Sequence, residues 1–336
     1  MIQQKKISPN PLQKLLNNIQ LRGLKNTIHK IIKKIKIRIH SPGNLIKPTI
    51  KQRNKYIAIR KKILFKRGNI SARKMEMANG FSNGKIDPMK GFMLKTDHEG
   101  RYDELRESLI DQFKLEDFDV KDYDKKEISD ISGKGTPIIP VTNDHINQND
   151  LLLNFLTDKK IIGTIAEYLG AMPWLYSADI WVSHTQEEAS NSSQNFHMDW
   201  EDQRIIKLFF YLDDITDDHA PFCLLSSSDS KKVLEFYKSK YESNIVSQRL
   251  SDEEVYEVVN KTDLIKLTGP KNSIGLVDTC NVLHFGSRPS KYPRKLMACM
   301  YASPFSIQNY IFQKTRFSSG VITDGIKDPW SWVIKH

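Results

Sequence analysis

The pattern of apolar and polar residues changes character near residue 173, and the change predicts two kinds of secondary structure. Before it, apolar residues recur at helical spacing, and helices are predicted over Arg101–Leu115 and from Asn149 to Leu169, where Gly170 ends the second one. The segments 76–96 and 116–150 are rich in Gly, Pro and Asn or in acidic residues, and are predicted to be mostly loop.

After residue 173, short alternating runs rich in aromatic and β-branched residues predict strands. The predicted strands are Leu175–Thr185, Ile205–Leu212, Pro221–Leu225, Glu254–Asn260, Ile265–Leu267, Ser273–Val277, Val282–His284 and Lys295–Ala302. One further helix is predicted among them, over Ser230–Tyr241. Helices followed by many short strands predict an α+β protein whose C-terminal part is a β-sandwich or barrel.

The first 75 residues differ from the rest of the chain in charge. Of the 51 Lys and Arg residues, 21 precede the first acidic residue, Glu76, whereas the remainder has 30 basic and 40 acidic residues. Apolar residues from Leu12 to Ile35 follow helical spacing between the lysines, which predicts a basic amphipathic arm. Three roles stay open for it: packing on the body with a solvated lysine face, binding an anionic membrane surface, and, least specifically indicated, contacting nucleic acid.

These patterns divide the chain into a basic helical arm (1–75), a linker and helical flank (76–170) and a β-rich core (171–336). No apolar run approaches the roughly 20 residues that a membrane-spanning helix needs, and the N-terminus lacks the pattern of a secretory signal. We therefore expect a cytoplasmic protein that the arm could hold at the inner membrane surface. The three cysteines are expected to be buried thiols rather than disulfides.

Candidate chemistry begins with the His-x-Asp pair formed by His197 and Asp199. In an extended segment, residues two apart point to the same face, so both side chains can bind one metal ion. His284, at the end of a predicted strand, offers a second imidazole. Two histidines and one carboxylate are the facial triad of non-haem Fe(II) oxygenases and leave open positions on the metal. The sequence thus predicts that His197, Asp199 and His284 are the catalytic iron ligands.

Open positions on the iron predict a co-substrate and O2. A chelating 2-oxoglutarate would take two positions and O2 the third, and the far carboxylate of 2-oxoglutarate would need a fixed cation. A planar guanidinium meets a carboxylate with two parallel hydrogen bonds. Arg294 stands at the start of a predicted strand, after a turn that contains Gly286 and Pro293, and is predicted to bind that carboxylate.

Three segments resemble the phytanoyl-CoA dioxygenase (PhyH-like) family of Fe(II)- and 2-oxoglutarate-dependent oxygenases. They are FHMDW (Phe196–Trp200), KLFFYLDDITDDHAPFCLLSSS (Lys207–Ser228) and LHFGSRPSKYPR (Leu283–Arg294), which lie within less than half of the chain. The resemblance implies a double-stranded β-helix, a jelly-roll or cupin-like barrel with the metal inside its mouth. It also implies that Ser287 helps Arg294 to hold 2-oxoglutarate.

The predicted function is therefore that of an Fe(II)- and 2-oxoglutarate-dependent dioxygenase that hydroxylates an unactivated C–H bond and releases succinate and CO2. Related halogenases lack the carboxylate ligand, so Asp199 favours hydroxylation. The basic arm favours a small or amphiphilic substrate, such as a membrane-associated glycolipid, a sugar or an acyl compound. Alternatives are an oxygenase that modifies nucleic acid or protein, and a catalytically inactive module that binds membrane surfaces. The pattern does not predict an oligomeric state.

Overall fold

The computed structural model describes residues 54–55, 58–59, 73–96, 100–116, 138–183, 194–199, 202–241, 249–286, 288, 290–306, 317 and 320–334. Nearly all of the predicted basic arm lies outside these residues, and so does Ser287. The division of the chain into arm, flank and core stays a prediction.

Two antiparallel sheets form the centre of the described part of the chain. The large sheet has the strand order β1-β7-β4-β9-β3-β2, and the small sheet has the order β6-β5-β8. The strands are β1 (Phe92–Lys95), β2 (Ile138–Pro140), β3 (Trp174–Ser183), β4 (Ile205–Tyr211), β5 (Phe222–Leu224), β6 (Ile265–Leu267), β7 (Ile274–Asp278), β8 (His284–Phe285) and β9 (Arg294–Ala302). Together with the helices, the sheets confirm the predicted α+β class.

The helices of the described residues lie before, between and after these strands. They are α1 (Asp103–Gln112), α2 (Asn143–Asn147), α3 (Asp150–Leu156), α4 (Lys159–Leu169), α5 (Ser227–Tyr241) and α6 (Asp252–Tyr256), with 3-10 turns at Asp217–His219, Lys261–Asp263 and Ser331–Val333. Within the described residues, none of the helices combines the length and the apolar character that crossing a membrane requires.

The large sheet buries its outer face under helices α1, α3 and α4. Alternate residues of β4, Leu208 and Phe210, enter the same apolar cluster as Leu109 of α1 and Leu156 of α3. The hydroxyl of Tyr301 donates to the Leu156 carbonyl at 3.0 Å and ties β9 to α3. Burial of alternate residues is what period-two strands require, and it leaves the other face of the large sheet for the small sheet.

The inner face of the large sheet packs against the small sheet. Phe209 of β4 contacts Phe222 of β5 with ring centroids 4.8 Å apart. Both belong to an apolar cluster that also includes Tyr211, Leu224 and Leu296. The space between the sheets is therefore apolar, and a polar group buried there needs a hydrogen-bonding or charged partner.

The outer face of the small sheet is covered by α5 and α6. Cys223 of β5 and Phe285 of β8 pack there with Val233 and Tyr237 of α5 and with Val255 of α6. All three cysteines of the chain are buried and free, as predicted.

Two predicted elements differ from the structure because capping residues begin helices within them. The predicted helix Asn149–Leu169 is two helices, because the Asp158 carboxylate accepts hydrogen bonds from the N–H groups of Lys160 and Ile161 and begins α4. The predicted strand Glu254–Asn260 is wrong, since this stretch contains the end of helix α6. Ser251 and Glu254 form a capping box there, a signal already present in the sequence.

The predicted loops also contain regular elements. β1 lies within 76–96 and pairs with β7, whereas β2 lies within 116–150 and pairs with β3. Both are short strands at opposite edges of the large sheet. Strands of three or four residues carry too short an alternating pattern to be recognised without their partners.

Candidate metal centre

Strand alternation directs His197 and Asp199 into the space between the sheets. The neighbouring side chains Phe196 and Met198 are buried in the cluster under α5 and α6. Because successive residues of an extended segment point to opposite sides, His197 and Asp199 face the other way. The local apolar pattern thus determines the direction of both polar side chains.

The same alternation positions His284 on β8. Leu283 and Phe285 pack into the outer cluster of the small sheet, so His284 points inward and is almost completely buried. An antiparallel bridge joins His284 to His197 through two backbone hydrogen bonds of 3.0 and 2.9 Å. The two imidazole rings consequently lie side by side, with centroids 4.3 Å apart.

His197, Asp199 and His284 together form a cluster suited to a metal ion. One ligand atom from each residue lies within 4.8 Å of the corresponding atoms of the other two. The three predicted ligands, of which His284 lies 85 residues after Asp199, are therefore brought together by the fold. Their donor set, two imidazole nitrogens and a carboxylate oxygen, fits non-haem Fe(II).

Both imidazoles are oriented by backbone carbonyls. Nδ1 of His197 lies 2.9 Å from the carbonyl oxygen of Asn195, and Nδ1 of His284 lies 3.0 Å from that of Val282. A carbonyl only accepts, so Nδ1 of each ring carries the proton and Nε2 keeps its lone pair. This is the arrangement that orients histidines as metal ligands.

The charge states of the three side chains also suit a cation. Burial lowers the pKa of His197, and burial together with the neighbouring His197 lowers the pKa of His284 to about 3. Burial alone would raise the pKa of Asp199, but Lys207, His284 and His197 outweigh it and hold that pKa well below its usual range. Neutral imidazoles beside an ionised carboxylate are the forms that bind metal.

The turn after β7 supports the carboxylate ligand. The Asp199 N–H donates to the Thr279 carbonyl at 2.8 Å. The adjacent Asp278 is fully buried and accepts hydrogen bonds from the Tyr168 hydroxyl and the Asn281 amide, both at 2.8 Å. This buried network holds the turn from which the chain continues to His284.

Arg294 lies buried at the same inter-sheet space, with only 2% of its surface exposed. Its Nη1 donates to the Ala220 carbonyl at 2.6 Å, next to β5. Its Nη2 lies 3.8 Å from the position that a Cβ on Gly286 would occupy, two residues beyond His284. Burial lowers the pKa of Arg294, but a guanidinium stays charged in proteins. Arg294 shares a face of β9 with Leu296 and Ala298, so the structure places a buried guanidinium on the side of the large sheet that packs against the small sheet.

Lys207 is a site residue that the sequence reasoning missed. Its Nζ lies 2.7 Å from Oδ2 of Asp199. Lys207 interrupts the apolar run of β4, and it shares the inner face with Phe209 and Tyr211. A single lysine among alternating apolar residues was the signal available in the sequence, because a charge on that face needs a buried partner.

Comparisons with known proteins identify no family for this chain. No family model matches it, and no curated protein matches it. Similar solved structures include EctD from S. alaskensis with bound Fe, with 15% identity, coverage of 66% of this chain and 80% of EctD, and a TM-score of 0.46.

Two other similar structures are HygX and SnoN. HygX from Streptomyces hygroscopicus, with nickel and 2-oxoglutarate bound, has 12% identity, coverage of 66% and 89%, and a TM-score of 0.40. The non-heme alpha ketoglutarate dependent epimerase SnoN from nogalamycin biosynthesis has 11% identity, coverage of 64% and 78%, and a TM-score of 0.40.

Proposed function

We propose that this chain is a non-haem Fe(II) oxygenase that uses 2-oxoglutarate and O2, with His197, Asp199 and His284 as its iron ligands. The observation that carries the proposal is the convergence of these three side chains between the sheets. Both histidines present Nε2 because their Nδ1 atoms are held by carbonyls. Three protein ligands leave positions for a chelating co-substrate and for O2.

In this proposal, Arg294 binds the far carboxylate of 2-oxoglutarate. The guanidinium is buried and fixed by its hydrogen bond to Ala220, so it can receive an anion without reorganisation. Phe209 and Phe222 lie between the sheets near His284, whose ring stacks on Phe222 at 5.0 Å. These apolar rings exclude water from the co-substrate and strengthen its electrostatic contacts.

The bound Fe(II) would supply the redox chemistry, in which O2 and 2-oxoglutarate give succinate and CO2 while one oxygen atom oxidises the substrate. The protein residues hold and orient the reactants. The oxidation proposed is hydroxylation of an unactivated C–H bond, because Asp199 occupies the position that a halide would need. In this proposal the two facing sheets form the double-stranded β-helix that the resemblance to the phytanoyl-CoA dioxygenase family implies.

The substrate proposed is small or amphiphilic, and the basic arm supports a membrane-associated compound such as a glycolipid, a sugar or an acyl compound. The arm concentrates 21 Lys and Arg residues before the first acidic residue. Such a segment is attracted to anionic lipid. The full-length protein should sediment with vesicles that contain anionic lipid, and a chain lacking residues 1–75 should not. Equal sedimentation of both proteins would remove the membrane proposal and leave the oxygenase proposal intact.

The oxygenase proposal is tested by adding Fe(II) and then 2-oxoglutarate to the full-length protein without O2. We expect the visible charge-transfer absorption of a chelated Fe(II)–2-oxoglutarate complex. Admission of O2 should then bleach this band and form succinate. A folded wild-type protein that binds no Fe(II) would contradict the proposal.

A further inference from the structure

The ion pair between Lys207 and Asp199 differs from the other ion pairs of the described residues. Here the side chains are 21% and 15% exposed, whereas each of the others has at least one side chain more than 40% exposed. Solvent-exposed pairs form and break easily. This pair lies at the candidate metal centre, and the backbone of each partner is held in place.

Strand β7 and the turn after it hold the backbones of both Lys207 and Asp199. Lys207 is on β4, with Val277 of β7 and Met300 of β9 as its register partners. Asp199 is held through its N–H by Thr279, just beyond the end of β7. The 2.7 Å contact between Nζ and Oδ2 thus joins two partly buried side chains whose backbones are both held by hydrogen bonds.

A lysine in this place does not serve to attract a metal. Its positive charge opposes a divalent cation bound to the same carboxylate. Its hydrogen bond has a different effect, because it engages one carboxylate oxygen and leaves the other for the metal. A carboxylate that bound through both oxygens would take a fourth position, and a six-coordinate metal would then lack room for both 2-oxoglutarate and O2.

We propose that Lys207 is a positioning residue that keeps Asp199 bound to the metal through a single oxygen and thereby preserves three open positions. This inference rests on the proposed function. It extends that function by assigning the role that keeps the site open for co-substrate and O2. The rival explanation for the same lysine is a direct attraction of anionic 2-oxoglutarate.

The test counts the waters on Mn(II) bound to the full-length protein in the absence of 2-oxoglutarate. Broadening of the Mn(II) electron paramagnetic resonance signal in ¹⁷O-enriched water gives this number. We expect three waters in the wild type and in Lys207→Gln, which keeps a donor without the charge. We expect two in Lys207→Met, with Mn(II) affinity retained. Lys266→Met removes an exposed ion pair with Asp217 and should keep three waters.

The outcomes separate this inference from the proposed function. Three waters in Lys207→Met would overturn the positioning role, and weaker 2-oxoglutarate binding in that variant would then favour direct attraction. If Lys207→Met does not fold, as judged by thermal unfolding, Lys207→Val makes the same test with a residue suited to a strand. A folded wild type that binds no Mn(II) or Fe(II) would instead contradict the proposed function.

Discussion

The two sheets contribute unlike chemistry to the same space. Both candidate histidines lie on the small-sheet side, where His284 belongs to β8 and His197 bridges to it, whereas Asp199 is held through its N–H by the turn after β7 of the large sheet. The cations lie on the large sheet, with Lys207 on β4 and Arg294 on β9. The imidazoles and the positive charges therefore come from opposite sheets.

The two cations of the large sheet, Lys207 and Arg294, stand in different relations to the metal ligands. Lys207 reaches the metal ligands, with its Nζ 2.7 Å from Oδ2 of Asp199, whereas Arg294 donates its Nη1 to the Ala220 carbonyl. In the proposal Lys207 acts on a metal ligand and Arg294 acts on the co-substrate, so the two cations can be tested separately.

The largest expected effect comes from removing a metal ligand. Asp199→Ala removes one of three ligands and the anion beside Lys207, so affinity for Fe(II) should fall by at least about 100-fold. Anaerobic calorimetric titration with Fe(II) measures this. Asp213→Ala, which alters a more exposed carboxylate beside Lys295, is the matched control and should bind Fe(II) as the wild type does. Unchanged affinity in Asp199→Ala would remove Asp199 from the proposed ligand set.

Changing Arg294 on the large sheet should leave Fe(II) binding intact and weaken the binding of 2-oxoglutarate. Truncating one partner of a buried charged pair costs about 2–5 kcal/mol, so Arg294→Ala should weaken 2-oxoglutarate binding by about 30-fold or more. Arg294→Lys should recover part of the loss, because it keeps the charge without the two-pronged geometry. Titration of the Fe(II)-loaded protein with 2-oxoglutarate measures both. A parallel loss of Fe(II) binding would mean that Arg294 and the metal ligands do not act separately.

A smaller effect, on the pH dependence of stability, is expected from Asp278, which lies where β7 ends and the chain turns towards β8. Burial raises the pKa of Asp278 to about 6, against 3.8 for an ordinary aspartate. The fold therefore favours the protonated form. Its contribution to stability is complete below about pH 4 and is lost as the pH rises through about 6.

Asp278→Asn removes this titration and so isolates it. Between pH 4 and 7, the free energy of unfolding of the wild type should fall relative to that of Asp278→Asn by at most about 3 kcal/mol. Denaturant unfolding of both proteins across this range gives the difference. Parallel curves for the two proteins would show that Asp278 does not titrate differently in the folded state.

Much of the architecture was predictable wherever the apolar pattern was long. Strands β3, β4 and β9 and helix α5 were recognised to within a few residues, because each carries a sustained pattern. The errors fell on short elements and on helix starts. β1 and β2 are edge strands that only their partners β7 and β3 identify, and Ser251 begins a helix through a capping box that the aromatic and β-branched residues after it obscured.

The sequence by itself determined which side chains could bind a metal and which way they would point. Phe196 and Met198 alternate with His197 and Asp199, and period two is a local property of the extended chain. Only the tertiary structure decided that Lys207 would meet Asp199. The two residues are eight apart in sequence, but their 2.7 Å contact depends on the packing of β4 against the segment that bridges to β8. Alternation is set residue by residue, whereas a contact between facing walls exists only after both sheets have folded.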